Sequence, residues 1–427
     1  MVSSLRASKQ GLERVNQARK KKGWTKTVTP AWWETALTSQ ATLRRFWRKI
    51  SIEPESFINI CQAVGITKWQ EIVDSTTPEE ADAPKMLFHE DWGEAPDISV
   101  FYGRTEELTK LEQWIVKDRC RLVALLGMGG IGKTALSVML AEQLQNEFEY
   151  FIWRSLRYSP SVEDLLAQLL RFFSNGQVTD LPQDFGRAVS QLIEYMRGSG
   201  GAATLRHRCL VILDEVETIL RPGQPAGSYR EGYEGYGELF KRLGKERHNS
   251  CLILTSREQL NEIALMQEET PLVRSLLLPD LNDAAARQIF TAKGLLDENQ
   301  WNQLLQTYRG NPLVLNIISG YIKNFFAGKV SDFLKLETIF LGDIHLILDS
   351  SWQRLSILQR NLMFQLARAS HSLLSLTQLN QAVSTSEIME ALQTLERRSL
   401  LERQLEDKEV IYTLQPIVRK YVKRKFN

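Results

Sequence analysis

Only four cysteines occur in the 427 residues, Cys61, Cys120, Cys209 and Cys251, far apart and with no Cys-x-x-Cys pair. That excludes a disulfide framework and a zinc site, and it suits a reducing cytoplasm. No run approaches the roughly 18 consecutive apolar residues that a membrane-spanning helix needs, so no membrane contact is expected. MVSSLRASKQGLERVNQARKKKGW at the start is basic but has no apolar stretch behind it, which argues against a secretory signal. No repeat with a period of about 20 to 50 residues is found, so no solenoid or propeller is expected within these residues.

What is present is an ordinary globular composition, 43% hydrophobic and 24% charged. A chain this long divides into about two to four domains. The net charge of +2 hides an asymmetry: residues 1–74 hold thirteen Lys/Arg against six Asp/Glu, leaving the remainder acidic. A basic module on an acidic body fits contact with nucleic acid or an acidic partner, and fits equally a solvated helix face.

Hydrophobic spacing predicts a helical module over 1–74, with ATLRRFWRKI, PESFINICQAVGI and KWQEIVD as helices and Gly65 as a stop. Residues 75–98, rich in Pro and acids, read as a linker. From 99 to 281 short apolar runs, RLVALLG, YFIWRSL, CLVILDEV, CLILTSR and VRSLLLPDL, alternate with amphipathic helices. That alternation predicts a multidomain α/β chain with a parallel sheet covered on both faces. Residues 282–337 read as a helical bundle, and 338–427 as helices followed by a hairpin, the order of a winged-helix domain.

Gly127-Met128-Gly129-Gly130-Ile131-Gly132-Lys133-Thr134, with Ala135 behind it, fits G-x-x-x-x-G-K-[ST] between a strand and a helix. Backbone N–H groups and the helix N-terminus would cradle phosphates, Lys133 would reach the β- and γ-phosphates, and Thr134 would give an oxygen to Mg2+. CLVIL delivers Asp214 and Glu215 to the carboxyl edge of the sheet, where Asp214 is the candidate metal ligand. Glu215, with Lys133, is the candidate catalytic residue, polarising an attacking water. Arg257, at the end of CLILTSR, is either a γ-phosphate sensor or a surface arginine. The tyrosine-bearing loop 223–237 is either a subunit contact or an ordered loop packed on its own tyrosines.

Taken in order, these motifs resemble the NB-ARC branch of the STAND P-loop ATPases, over roughly three quarters of the chain. VFYGRTEEL resembles that family's motif beside adenine, implicating Tyr102, Gly103 and Arg104. GMGGIGKT, LDEVE and LTSRE correspond to the Walker A, Walker B and sensor motifs. RGNPLVL resembles the family's Gly-x-Pro motif, so Pro312 inherits contact with the base. YTLQPIVRKYV stands where the winged helix presents its nucleotide-sensing motif. There Gln415 replaces the usual histidine, giving a hydrogen-bond donor that cannot become cationic. Asn311 stands where an apolar residue is usual. DWGEAPDISVFYGRTEEL and the 227–240 loop are most similar to cyanobacterial NB-ARC proteins, many of which carry repeats behind this region. A short form and the front part of a longer polypeptide both remain open.

The resemblance implies a cytoplasmic switch that binds ATP or ADP with Mg2+, hydrolyses ATP slowly, assembles into a homo-oligomer with ATP and controls an N-terminal effector module in stress or defence signalling. A DNA-binding regulator is the alternative, with Arg44, Arg45, Arg48 and Lys49 as phosphate contacts. A metabolic kinase is disfavoured, since no acceptor-orienting groups stand out beyond the switch motifs.

Overall fold

The computed structural model describes residues 5–25, 29–47, 49–74, 89–178, 182–198, 208–336, 342–369, 374–375, 383–406 and 409–426. The chain forms two compact units, Met1–Leu87 with Ser99–Phe101, and Phe88–Ile98 with Tyr102–Asn427.

The first unit is helical. Lys9–Lys21, Pro30–Thr35, Gln40–Trp47 and Pro54–Ala63 enclose Trp32, Leu43, Phe46, Phe57 and Ile60, none more than 1% exposed. Gly65, at φ +86°, turns the chain out of the fourth helix, a conformation glycine adopts without penalty. KWQEIVD is not the expected helix. It makes a single turn, Trp69–Glu71, after which Val73 bridges to Ala7. The core draws in Ile72, whose carbonyl accepts the Ser8 N–H at 2.9 Å, and that extends the chain. Arg45 and Lys49 are exposed, whereas Arg48 and the Arg44 side chain lie outside the described residues.

The second unit is built on six parallel strands: β1 His89–Asp91, β2 Leu122–Leu126, β3 Tyr150–Ser155, β4 Cys209–Asp214, β5 Cys251–Ser256 and β6 Val273–Leu277. Their spatial order is β1-β3-β4-β5-β2-β6. Every residue of β2, β4 and β5 is buried, which is why these strands read as unbroken apolar runs. Helix Lys133–Leu144 packs on β4 and β5. Helices Val162–Phe173, Phe185–Arg197 and Gly235–Lys245 share a second core with alternate strand residues such as Ala124, Ile152 and Val211. β1 corrects the reading of 75–98 as linker. Its polar His-Glu-Asp carries no hydrophobic signal, and it is held by pairing with β3, by His89 stacked 4.9 Å from Tyr150 and by the Asp91–Arg154 ion pair. The rest of the expected linker, residues 75–88, lies outside the described residues.

Helices Asp283–Lys293, Trp301–Tyr308 and Pro312–Phe326 follow, then Gly342–Trp352, Ile357–Arg368 and Thr385–Arg397. Strands β7 Leu374–Ser375, β8 Glu402–Glu406 and β9 Glu409–Thr413 make an antiparallel sheet in the order β7-β9-β8. Helix Pro416–Phe426 comes last. One apolar core runs through these elements, from Phe290 and Leu315 to Leu395 and Val418, and it takes in Met128 of the glycine-rich loop. The 223–237 loop is anchored through its tyrosines to the segment after β3: the hydroxyl of Tyr233 donates to the Ser159 carbonyl at 2.7 Å and that of buried Tyr236 to the Pro160 carbonyl at 3.0 Å.

Candidate nucleotide-binding site

The glycine-rich loop leaves β2 and enters helix Lys133–Leu144 through Gly127, Gly130 and Gly132, at φ +146°, +78° and +101°. Side chains rarely adopt these values, so the glycines are what the turn requires. Lys133 is buried, its Nζ donating to the Gly127 and Met128 carbonyls at 2.7 and 3.1 Å. Burial pushes its ammonium down to about 8, against the pull of Glu217.

β5 lies between β2 and β4, and this places its Thr255 hydroxyl on Asp214. Thr134 Oγ1 reaches the same carboxylate at 3.0 and 3.1 Å. Burial pushes the Asp214 carboxyl up, while hydrogen bonds from Thr255 and Thr134 pull it back. Among the described residues no three His, Cys, Asp or Glu cluster as metal ligands. One carboxylate and one hydroxyl beside a phosphate cradle are the hard oxygen donors that suit Mg2+, which takes its other ligands from phosphate and water. The arrangement therefore fits a Mg2+–nucleotide.

Glu215 is held at φ +61° by its own N–H on Thr255 Oγ1 at 3.0 Å, and its carboxylate faces Arg157 at 2.8 and 3.2 Å. Arg257 pairs with Glu217 at 3.0 Å and donates to Ser350. A Cβ on Gly129 would lie 3.3 Å from the Arg257 guanidinium and 3.2 Å from Ile347.

Two further segments bear on the loop. Arg104 is buried and left-handed at φ +67°, donating to the Ile131 carbonyl at 3.0 Å and pairing with Glu107 at 2.7 Å. Beside it, a Cβ on Gly103 would lie 2.7 Å from Ala285, and Tyr102 packs on the C-terminal core. Asn311 caps helix Pro312–Phe326 with its Oδ1 and donates from Nδ2 to the Gly129 carbonyl at 3.1 Å. Leu313 N–H reaches the Gly130 carbonyl at 3.3 Å. Pro312 is half-buried at the first turn, and Ala135 half-buried behind the loop. Gln415 is half-buried ahead of the last helix, and among the described residues its side chain makes no hydrogen bond to the loop. Its neighbour Pro416 and Gly310 line one cleft of about 570 Å³.

Lys133, Thr134, Asp214, Arg257 and Arg104 thus converge on one loop, and Asn311 carries Pro312 to its rim. Arg157, Glu217 and Ser350 were not singled out in the sequence. Glu217 stands within LDEVE, but its partner is forty residues on, and the Ser350 contact spans 93 positions.

The profile of the NB-ARC domain matches residues 104–220. The chain carries an NB-ARC domain. Over 99% of its length the chain is 39% identical to an uncharacterised WD repeat-containing protein of the cyanobacterium Nostoc sp., of which it spans 36%. A disease resistance-like protein of Arabidopsis thaliana is 23% identical over 62% of this chain and 20% of that protein. The chain thus spans about a third or less of the curated relatives it matches. The Walker-type ATPase of Pyrococcus abyssi shares the fold at 17% identity and a TM-score of 0.50, over 76% of this chain and 96% of that one. P-loop nucleotide binding follows from the family. No helix among the described residues is long and apolar enough to cross a membrane.

Proposed function

We propose that this chain is a nucleotide-dependent switch in which ADP keeps the C-terminal elements closed over the phosphate loop, and ATP releases them for self-association. One observation carries the reading: the loop backbone is bonded from the C-terminal side, through Asn311 on Gly129 and Leu313 on Gly130. Phosphates that reshape the loop must disturb those bonds, and elements that leave the loop must change its phosphate affinity. Such a device works only if the two nucleotides favour the two arrangements unequally.

In this reading residues 282–337 and 338–427 are the helical bundle and the winged-helix lever, and residues 1–74 the effector module. Lys133 and the loop amides hold the phosphates, Thr134 and Asp214 hold Mg2+, and Arg257 reads the terminal phosphate. Glu215 polarises the water in a slow resetting hydrolysis. Tyr102, Gly103, Arg104 and Pro312 bound the base, and Gln415 gives a neutral contact to the β-phosphate. Bound Mg2+ supplies charge neutralisation at the terminal phosphates. By likeness to the disease resistance-like relative, the output is a cytoplasmic stress or defence signal.

The test is to identify the nucleotide that copurifies with the chain and to follow its size on adding ATP. ADP in the purified protein and larger species with ATP are expected. Rapid turnover by a persistent monomer would overturn the switch.

A further inference from the structure

The pairing of β3 with β4 continues one residue past the end of β3, with Leu156 N–H on the Asp214 carbonyl at 2.8 Å. That pairing sets Arg157 beside Glu215. Arg157 Nε donates to Oε2 at 2.8 Å and Nη2 to Oε1 at 3.2 Å, so both carboxylate oxygens are taken. Ser155 Oγ adds a third donor at 3.3 Å. The backbone of Glu215 is fixed separately: Thr255 accepts its N–H at 3.0 Å, and the Thr218 hydroxyl donates to its carbonyl at 2.9 Å. Only the side chain is free to change partner.

A carboxylate acts on a water by accepting its hydrogen bond, and here three donors take both lone-pair positions of Oε2 and one of Oε1. The two-point grip also fixes the plane of the carboxylate toward Arg157 and keeps it from turning to a water elsewhere. We propose that Arg157 is a positioning residue that holds Glu215 out of action, and that hydrolysis requires this pair to open. The proposal rests on the reading of Glu215 as the water-polarising group. Arg157 is 66% exposed, and an exposed ion pair is weak enough for another anion to displace. Once released, Glu215 accepts a proton from water as the water oxygen bonds to the γ-phosphorus. The β–γ bridging P–O bond breaks with its electrons on ADP, and the proton passes to the phosphate formed.

The experiment compares wild type, Arg157→Gln, Arg157→Lys and Glu215→Gln in the full chain. Steady-state hydrolysis of Mg-ATP should rise about fivefold in kcat for Arg157→Gln with KM unchanged. Arg157→Lys, which keeps the charge but not the two-point grip, should fall between the two, and a purely structural role would not give that order. A second readout needs no turnover: phenylglyoxal labelling of Arg157, followed by mass spectrometry, should be several-fold faster in Glu215→Gln than in wild type. Equal labelling rates, or an Arg157→Gln kcat at or below wild type, would overturn the proposal. If Glu215→Gln hydrolyses ATP as fast as wild type, the assignment of Glu215 itself fails. If that variant is slow while Arg157→Gln gains nothing, only the role of Arg157 fails.

Discussion

Lys133 carries the largest electrostatic cost at the site, because its ammonium is buried among carbonyls and pushed down to about 8 from 10.5. The sign of the consequence is fixed. Between about pH 8 and 10.5 the unfolded chain holds this proton and the folded chain does not, so this residue adds stability as pH rises through that window. A phosphate anion beside Nζ reverses the preference by favouring the charged form. Binding of ADP at pH 8.5 is therefore expected to take up a fraction of a proton, and at pH 7 almost none. Calorimetric titration in two buffers of different ionisation enthalpy reads this directly, and proton release at pH 8.5 would contradict it. Asn311 shows a different side of the residue scale. Its departure from an apolar residue was visible in the sequence. Its use was not, since the cap is local while the bond to Gly129 closes a loop of 182 residues.

Among the elements, the end of β5 does most of the joining. Arg257 turns to Glu217 and Ser350, and the next residue, Glu258, lies 1% exposed between Arg354 and Arg398. The side chain of Arg398 is 3% exposed and reaches the Gln224 carbonyl at 2.9 Å as well. Glu258→Ala leaves that guanidinium buried without its counter-charge, which costs about 3 kcal/mol or more. The expected outcome is faster amide exchange in both 254–261 and 350–359, with β2 and β3 unchanged; exchange confined to the β5 end would rule out a shared latch. Such long-range pairs leave no mark in a sequence. The strands they hang from do: β2, β4 and β5 are buried on both faces and so appear as apolar runs ending at the site residues. β1 is three polar residues at a sheet edge, and its register is set by β3 alone, so it was invisible. KWQEIVD has helical spacing, yet the pull of Ile72 into the core and of Val73 onto Ala7 outweighed local propensity.

At the scale of the whole chain, charge separates the two readings of the N-terminal unit. Residues 1–74 are basic in net charge and the remainder acidic, so an intact chain approaching DNA would be drawn by one end and repelled by the rest. The unit has a closed core of its own around Trp32, Phe46 and Phe57, and residues 1–74 alone are expected to melt cooperatively, with tryptophan fluorescence as the probe. That fragment then provides the test. As an effector that recruits protein, it should not retain duplex DNA on a filter at about 50 mM salt. As a DNA reader it should retain it, with affinity falling by about three orders of magnitude or more by 200 mM if some six phosphates are neutralised. In that second case the intact chain should bind more weakly than the fragment at low salt, because the acidic body adds repulsion that salt screens away. Equal affinity of fragment and chain at all salt concentrations would mean that the body's charge does not reach the site.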